Sequence, residues 1–136
     1  MNSRVVVVGL INKGEKFLFG KKLKNVGPYA NTWNIPGGGV NLGKETLEEA
    51  LRREISEETA IEIEKIQNIG FDEDTEPDTH GEMTHYIFLA FRATYKSGEV
   101  KPGDDMSSLL WIDKDKIKSL NLNKPSKKLL KNLMII

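Results

Sequence analysis

The stretch Gly37-Gly38-Gly39-Val40-Asn41-Leu42-Gly43-Lys44-Glu45-Thr46-Leu47-Glu48-Glu49-Ala50-Leu51-Arg52-Arg53-Glu54-Ile55-Ser56-Glu57-Glu58-Thr59-Ala60-Ile61 decides the fold. Residues 46–58 hold no glycine or proline and set Leu47, Ala50, Leu51 and Ile55 at core spacing, which predicts a helix. Counting about 100° per residue from Leu47, those apolar positions define an inward stripe, and Glu54 and Glu58 fall within roughly 20° of its centre. Glu57 falls at its edge, whereas Glu45, Glu48, Glu49 and Arg52 fall on the far, solvated side. Carboxylates one turn apart on an inward face are costly unless something offsets their charge. A hard divalent cation such as Mg²⁺ or Mn²⁺ does so, because carboxylate oxygens are its preferred ligands. The bland alternative is a surface charge run paired with Arg52, Arg53 and Lys65, and the apolar phase argues against it.

Two glycines within this stretch imitate another motif. Gly38 and Gly43-Lys44 have the spacing of a phosphate-binding P-loop, but Glu45 stands where a Ser or Thr hydroxyl must reach magnesium. No long apolar strand directly precedes it, so that reading is set aside.

Outward from the helix, residues 4–11 are β-branched and predict a buried strand, followed by turn chemistry at 12–15 and a returning strand at 16–21. Residues 24–39 hold two of the five prolines and four of the twelve glycines and read as loop. Strands are expected at 61–71, 83–95 and 109–112, with an acidic loop at 72–78 and a closing amphipathic helix at 126–134. Strands on both sides of one central helix predict an α+β sandwich with a mixed sheet. With 136 residues, no repeats and no dividing linker, the expectation is one domain over 1–136.

Twenty basic and twenty acidic residues cancel, which disfavours a nucleic-acid or anionic-membrane binder. The chain has no cysteine, so disulfides, thiolate metal sites and cysteine nucleophiles are excluded. The longest apolar stretches fall far short of the roughly 20 residues a membrane span needs, and residues 1–4 show no signal peptide. A cytoplasmic protein, monomeric or homodimeric, is expected.

The central stretch resembles the signature of the Nudix hydrolase family: glycine, five residues, Glu, seven residues, Arg-Glu, an aliphatic, any residue, Glu-Glu, any residue, glycine, an aliphatic. Gly39, Glu45, Arg53-Glu54, Ile55, Glu57-Glu58 and Ile61 match, and Ala60 stands where the family has glycine. Trp33-Asn34-Ile35-Pro36-Gly37-Gly38 resembles the family's approach to this box. The resemblance runs through most of the chain and is closest to small bacterial MutT-like nucleoside triphosphatases. It implies the Nudix fold: an α/β/α sandwich on a mixed sheet, carrying a loop–helix–loop.

The resemblance further implies that Glu54, Glu57 and Glu58 are metal ligands, with the Gly38 carbonyl completing part of the shell. Arg53 and Glu45 would pair and hold the box in shape, Arg53 lying off the stripe and away from Glu54 and Glu58. One of the carboxylates, or a late acid, would orient the attacking water; Asp105 matches the late position and Asp104 is its fallback. The implied activity is Mg²⁺-dependent cleavage of a nucleoside triphosphate to the monophosphate and pyrophosphate. Alternatives are another nucleoside diphosphate derivative, such as a nucleotide sugar, ADP-ribose or a dinucleotide, or a catalytically inactive nucleotide sensor.

Outside the box, Lys21 and Lys22 are candidates for phosphate contact, His85 for substrate contact, and Trp33 and Tyr29 for stacking on a base. Each has an equally simple role in packing or solvation.

Overall fold

The computed structural model describes residues 1–23, 29, 31–103 and 106–136. Two long apolar strands start the sheet. β1 (Asn2–Lys13) turns through Gly14 and Glu15 into β2 (Lys16–Lys22), and the two pair antiparallel. β1 also pairs in parallel with β6 (Met83–Ser97), with Val5 opposite Ile87 and Gly9 opposite Phe91. β6 pairs antiparallel with β5 (Glu62–Pro77), and β7 (Met106–Asp113) pairs antiparallel with β2. One parallel pairing among antiparallel ones makes the sheet mixed, in the order β3 (Trp33–Asn34), β2, β1, β6, β5.

Strand alternation decides which helix each side chain meets. From β1, Val7 and Ile11 point to one face, where they pack with Leu51 and Ile55 of α1 (Leu47–Thr59). Leu10 points to the other, with Phe17 and Phe19 of β2 and Leu129 and Leu130 of α2 (Lys124–Asn132). Full burial of Leu51 and Ile55 fixes α1 on its face, each contributing roughly 2 kcal/mol. The result is the expected α/β/α sandwich.

Helix α1 starts where the local chemistry directs. Thr46 Oγ1 accepts from the Glu49 N–H at 3.1 Å while Glu49 Oε1 accepts from the Thr46 N–H at 2.9 Å, a reciprocal cap. It ends at Ala60, whose φ of 65° is left-handed, so the turn that favours glycine is retained with alanine in it.

Three expectations are corrected. Residues 24–39 are not all loop, because β3 (Trp33–Asn34) pairs with β2 and β4 (Gly37–Gly39) pairs with β1. A Cβ on Gly37 would stand 2.0 Å from the Val7 carbonyl oxygen, so glycine here permits close strand approach. Residues 72–77 are not a loop either but the second half of β5, paired with β6 as far as Pro77 opposite Met83. Only Asp78 turns the chain, its Oδ1 accepting from the His80 and Glu82 N–H groups. Leu47 is not core: it is 40% exposed, while Ala50 one turn on is fully buried.

Candidate functional site

The second half of α1 lies beside β4, and the two elements together frame one end of a cleft of about 790 Å³. Gly37, Gly38, Gly39, Glu54, Glu57 and Glu58 all line it. Glu58 is only 7% exposed, and its Oε1 accepts from the Gly37 N–H at 2.8 Å. Gly38 abuts Glu54 so closely that a Cβ would fall 2.2 Å from the carboxylate Oε2. Glu57, at the helix edge, has a side chain 46% exposed.

Arg53 ties these parts together. Its Nε donates to Glu45 Oε1 at 2.8 Å and its Nη2 to Glu45 Oε2 at 2.7 Å, a bidentate pair. Nη2 also donates to the Gly39 carbonyl at 3.0 Å, and Glu45 Oε2 accepts from the Asn41 N–H at 2.8 Å. The loop between β4 and α1 is thus closed onto the helix by one guanidinium. Arg53 and the Asn41 N–H hold the Glu45 carboxyl down to about 2, and Glu45 in turn raises the Arg53 guanidinium above its ordinary range.

The position expected for Arg53 needs correction on one point. It reaches Glu45, but it does not stand away from Glu54: Nη1 donates to Glu54 Oε1 at 2.9 Å and lies 3.3 Å from Glu57 Oε2. A long side chain ending in a five-donor fork spans the helix surface that the angular count separates. Among the described residues, no three His, Cys, Asp or Glu side chains stand together as a metal-binding group. Glu54 and Glu57 share Arg53, while Glu58 turns to Gly37. Asp104 and Asp105 lie outside the described residues.

The donor chemistry still fits a hard divalent ion. Glu54, Glu57 and Glu58 supply only carboxylate oxygens to one cleft end, and the missing Cβ of Gly38 leaves space against Glu54.

An acidic–basic seam beside the cleft was not foreseen, and of its residues Asp72 lines the cleft. Asp72, Asp74 and Glu76 alternate along β5 and face the lysines of α2: Lys128 lies 2.8 Å from Asp72, and Lys124 lies 3.1 Å from Asp74 and 3.7 Å from Glu76. Tyr29 donates its hydroxyl to Asp74 Oδ2 at 2.7 Å. Burial, helped by Asp74, pushes the Tyr29 hydroxyl well up. Burial opposes ionisation of Asp74, but Tyr29, Lys124 and the Thr75 N–H outweigh it and lower its carboxyl. Tyr86, Phe88, Ile35 and Leu129 add apolar surface, and Asn34, Asn123 and Ser126 add polar groups. The period-2 spacing of the acids at 72, 74 and 76 was the available signal.

Of the other candidates, Lys22 and Tyr29 line the cleft. Lys21 instead sits over the Trp33 ring, Trp33 packs beside the α2-side core, and His85 lies 3.7 Å from Glu73. Arg4 and His80, which were not singled out for substrate contact, also line the cleft.

A mixed sheet between two helices, with an Arg–Glu-locked loop and three glutamates at one cleft end, defines a Nudix protein. The NUDIX domain family model matches residues 1–133, and the chain belongs to that family. It is similar to the nucleoside triphosphatase NudI of Escherichia coli strain K12, 31% identical over 96% of this chain and 96% of that protein. It is similar also to nucleoside triphosphatase NudI of Enterobacter sp. strain 638, at 29% over 93% and 94%. Among solved structures, the MutT NUDIX hydrolase of Burkholderia pseudomallei superposes with a TM-score of 0.82 at 26% identity, over 96% of this chain and 98% of that one. The MutT protein of Methanosarcina mazei Go1 shares the fold, with a TM-score of 0.80 at 23% identity over 98% and 94%. This chain is a hydrolase acting on phosphoric anhydrides. No helix among the described residues is long and apolar enough to cross a membrane.

Proposed function

We propose that the protein is a Mg²⁺-dependent pyrophosphohydrolase of nucleoside triphosphates, releasing the monophosphate and pyrophosphate in the cytoplasm. The observation that carries this is one cleft lined by the three glutamates, the glycine strand and partly apolar surface. Its volume of about 790 Å³ lies in the usual range of small-molecule sites and accommodates a nucleotide. Relatives about 30% identical that are named nucleoside triphosphatases support the triphosphate over other nucleotides.

Glu54, Glu57, Glu58 and the Gly38 carbonyl would hold the cation. Such an ion would supply charge neutralisation for the polyphosphate and would make water a better nucleophile. Arg4 and Lys22 line the same cleft and would attract the anionic substrate. Arg53 and Glu45 would position the glycine strand rather than touch the reacting atoms. The water oxygen bonds to one phosphorus as the bond from that phosphorus to the bridging oxygen breaks, and a carboxylate accepts the water's proton. One of the box glutamates, or Asp105 with Asp104 as its fallback, would take that proton.

The test is a panel of nucleoside triphosphates, ADP-ribose and nucleotide sugars, with phosphate and pyrophosphate measured separately, with Mg²⁺, with Mn²⁺ and with EDTA. The expected result is pyrophosphate and monophosphate from triphosphates, abolished by EDTA. Turnover confined to the diphosphate-linked compounds would overturn the substrate assignment. Full turnover in metal-free buffer would overturn the role of the carboxylates.

A further inference from the structure

The charges that cancel over the whole chain do not cancel locally. Residues 114–131 hold seven lysines and a single acid, Asp115, so this segment is strongly basic and the rest of the chain is net acidic. Four of these lysines stand on α2 as two pairs, each spaced by one helical turn. Lys124 and Lys128 are engaged by Asp72, Asp74 and Glu76 of β5. Lys127 and Lys131 instead meet Lys118, from the short 3-10 helix Lys114–Ser119, around a second recess of about 210 Å³.

All three of these lysines are exposed, and no ion pair among the described residues engages them. Like charges one turn apart on a helix repel. The helix dipole offsets this for Lys131, in the last turn, but not for Lys127 or Lys118. Asn121 also lines the recess, and Leu120, Leu122 and Ile136 add apolar surface that strengthens attraction for an anion by displacing water. The recess is separate from the cleft. Their linings share no residue: α2 gives Pro125, Ser126 and Leu129 to the cleft, and Lys127 and Lys131 to the recess.

We propose that this recess is a second anion site, for a compact multivalent phosphate, with inorganic pyrophosphate as its ligand. Each ammonium group is a point-charge partner for phosphate oxygen, and three of them on one small concave surface match several charges carried on one anion. A volume of about 210 Å³ is small for a nucleotide, so the recess takes the phosphate part alone. The choice of pyrophosphate rests on the triphosphatase reading, whose reaction releases it; the three unpaired lysines do not.

The test is calorimetric titration of EDTA-treated protein, at low salt, with inorganic pyrophosphate and with orthophosphate. Pyrophosphate should bind at least about tenfold more tightly than orthophosphate, because it carries more charge to the same three lysines. The double variant Lys127→Gln with Lys131→Gln should weaken pyrophosphate at least about tenfold, whereas Lys114→Gln with Lys116→Gln, the same charge change outside the recess, should stay within about twofold. Lys22→Gln, in the cleft, should also leave the affinity unchanged. Pyrophosphate should raise the Tm of the wild type and not that of the Lys127/Lys131 variant. Without ligand that variant should melt no lower than the wild type, since a repulsion has been removed. Loss of binding in Lys22→Gln alone would place the anion in the cleft and overturn the proposal. Equal losses in both double variants would reduce the effect to general charge attraction and overturn it too, as would the absence of any binding heat or Tm shift. Orthophosphate bound as tightly as pyrophosphate would overturn the assigned ligand. None of these measurements uses turnover, so the second site stands or falls separately from the triphosphatase, which the substrate panel decides.

Discussion

Arg53 grips Glu45 across eight residues by two parallel hydrogen bonds of 2.7 and 2.8 Å, and the same guanidinium holds the Gly39 carbonyl at 3.0 Å. The pair joins the helix that carries the glutamates to the loop that carries the glycines. Arg53→Ala should lower kcat about 100-fold, and Glu45→Gln about tenfold, because the amide keeps one acceptor. The double variant should lose less than the two losses combined, since each removes the same pairing. Kinetics and urea unfolding of both singles and the double decide this. Strictly additive losses would give Arg53 a separate job, and its contacts with Glu54 and Glu57 would be the place to look.

The pair also sets a pH signature. Glu45 is lowered from 4.5 to about 2 in the folded protein, so its contribution to stability is complete above about 4.5 and lost as pH falls towards 2. The stability gap between wild type and Glu45→Gln should be constant from pH 7 to 5 and close progressively below 4.5. Urea unfolding midpoints at each pH measure it. A gap that widens on acidification would contradict the assigned direction.

Gly37 and Gly38 are neighbours with separable duties. A Cβ on Gly37 would meet backbone, 2.0 Å from the Val7 oxygen, whereas one on Gly38 would meet the end of the Glu54 side chain. Gly37→Ala should therefore unfold more easily, by several degrees in Tm, as β4 leaves β1. Gly38→Ala should keep its Tm within a degree or two yet lose at least 100-fold in kcat, because Glu54 has to turn away. The reverse pattern in melting and kinetics would show that Glu54 does not need its present position.

Much of this site could be read from residue order because its positions are polar and fixed in spacing. Glu54 and Glu58 stood out by violating the apolar phase of their helix, and Glu58 is indeed buried while Glu57 is not. The misread parts are those in which pairing partners, rather than local residues, decide the conformation. β4 is three glycines with no intrinsic strand preference, made a strand by Val6, Val7 and Val8 across from it. The end of β5 shows no apolar–polar alternation, because its inward positions are Asp72, Asp74 and Glu76, matched by lysines some fifty residues later.

Cation binding should appear as stability as well as rate. A ligand that binds only the folded state at 100 times its Kd adds about 2.7 kcal/mol. Millimolar Mg²⁺ should raise the wild-type Tm by several degrees, and Glu57→Gln, an exposed edge position, should abolish most of that rise with the metal-free Tm unchanged. Kinetically, the same variant should lose orders of magnitude in kcat. An identical Mg²⁺ shift in wild type and variant, by calorimetry, would remove Glu57 from the ligand set.

Ala60 offers a gain rather than a loss. It caps α1 at φ 65° and ψ 15°, and its N–H donates to the Ser56 carbonyl at 3.0 Å, so the left-handed turn is formed with a Cβ in it. For an L-residue that conformation costs about 1–2 kcal/mol, which glycine avoids. Glycine also loses more backbone entropy on folding, which returns about 0.4–1 kcal/mol of the gain. The balance favours Ala60→Gly by roughly 0.5–1 kcal/mol, a rise of about 2–4 °C in Tm for a chain of this size. Turnover should not change, because the Glu58 and Thr59 carbonyls at the helix end are already held by the Gly103 and Lys101 N–H groups. Calorimetry beside kcat and KM tests both halves. A Tm that stays level or falls would mean that the alanine at this cap carries no strain, despite its positive φ.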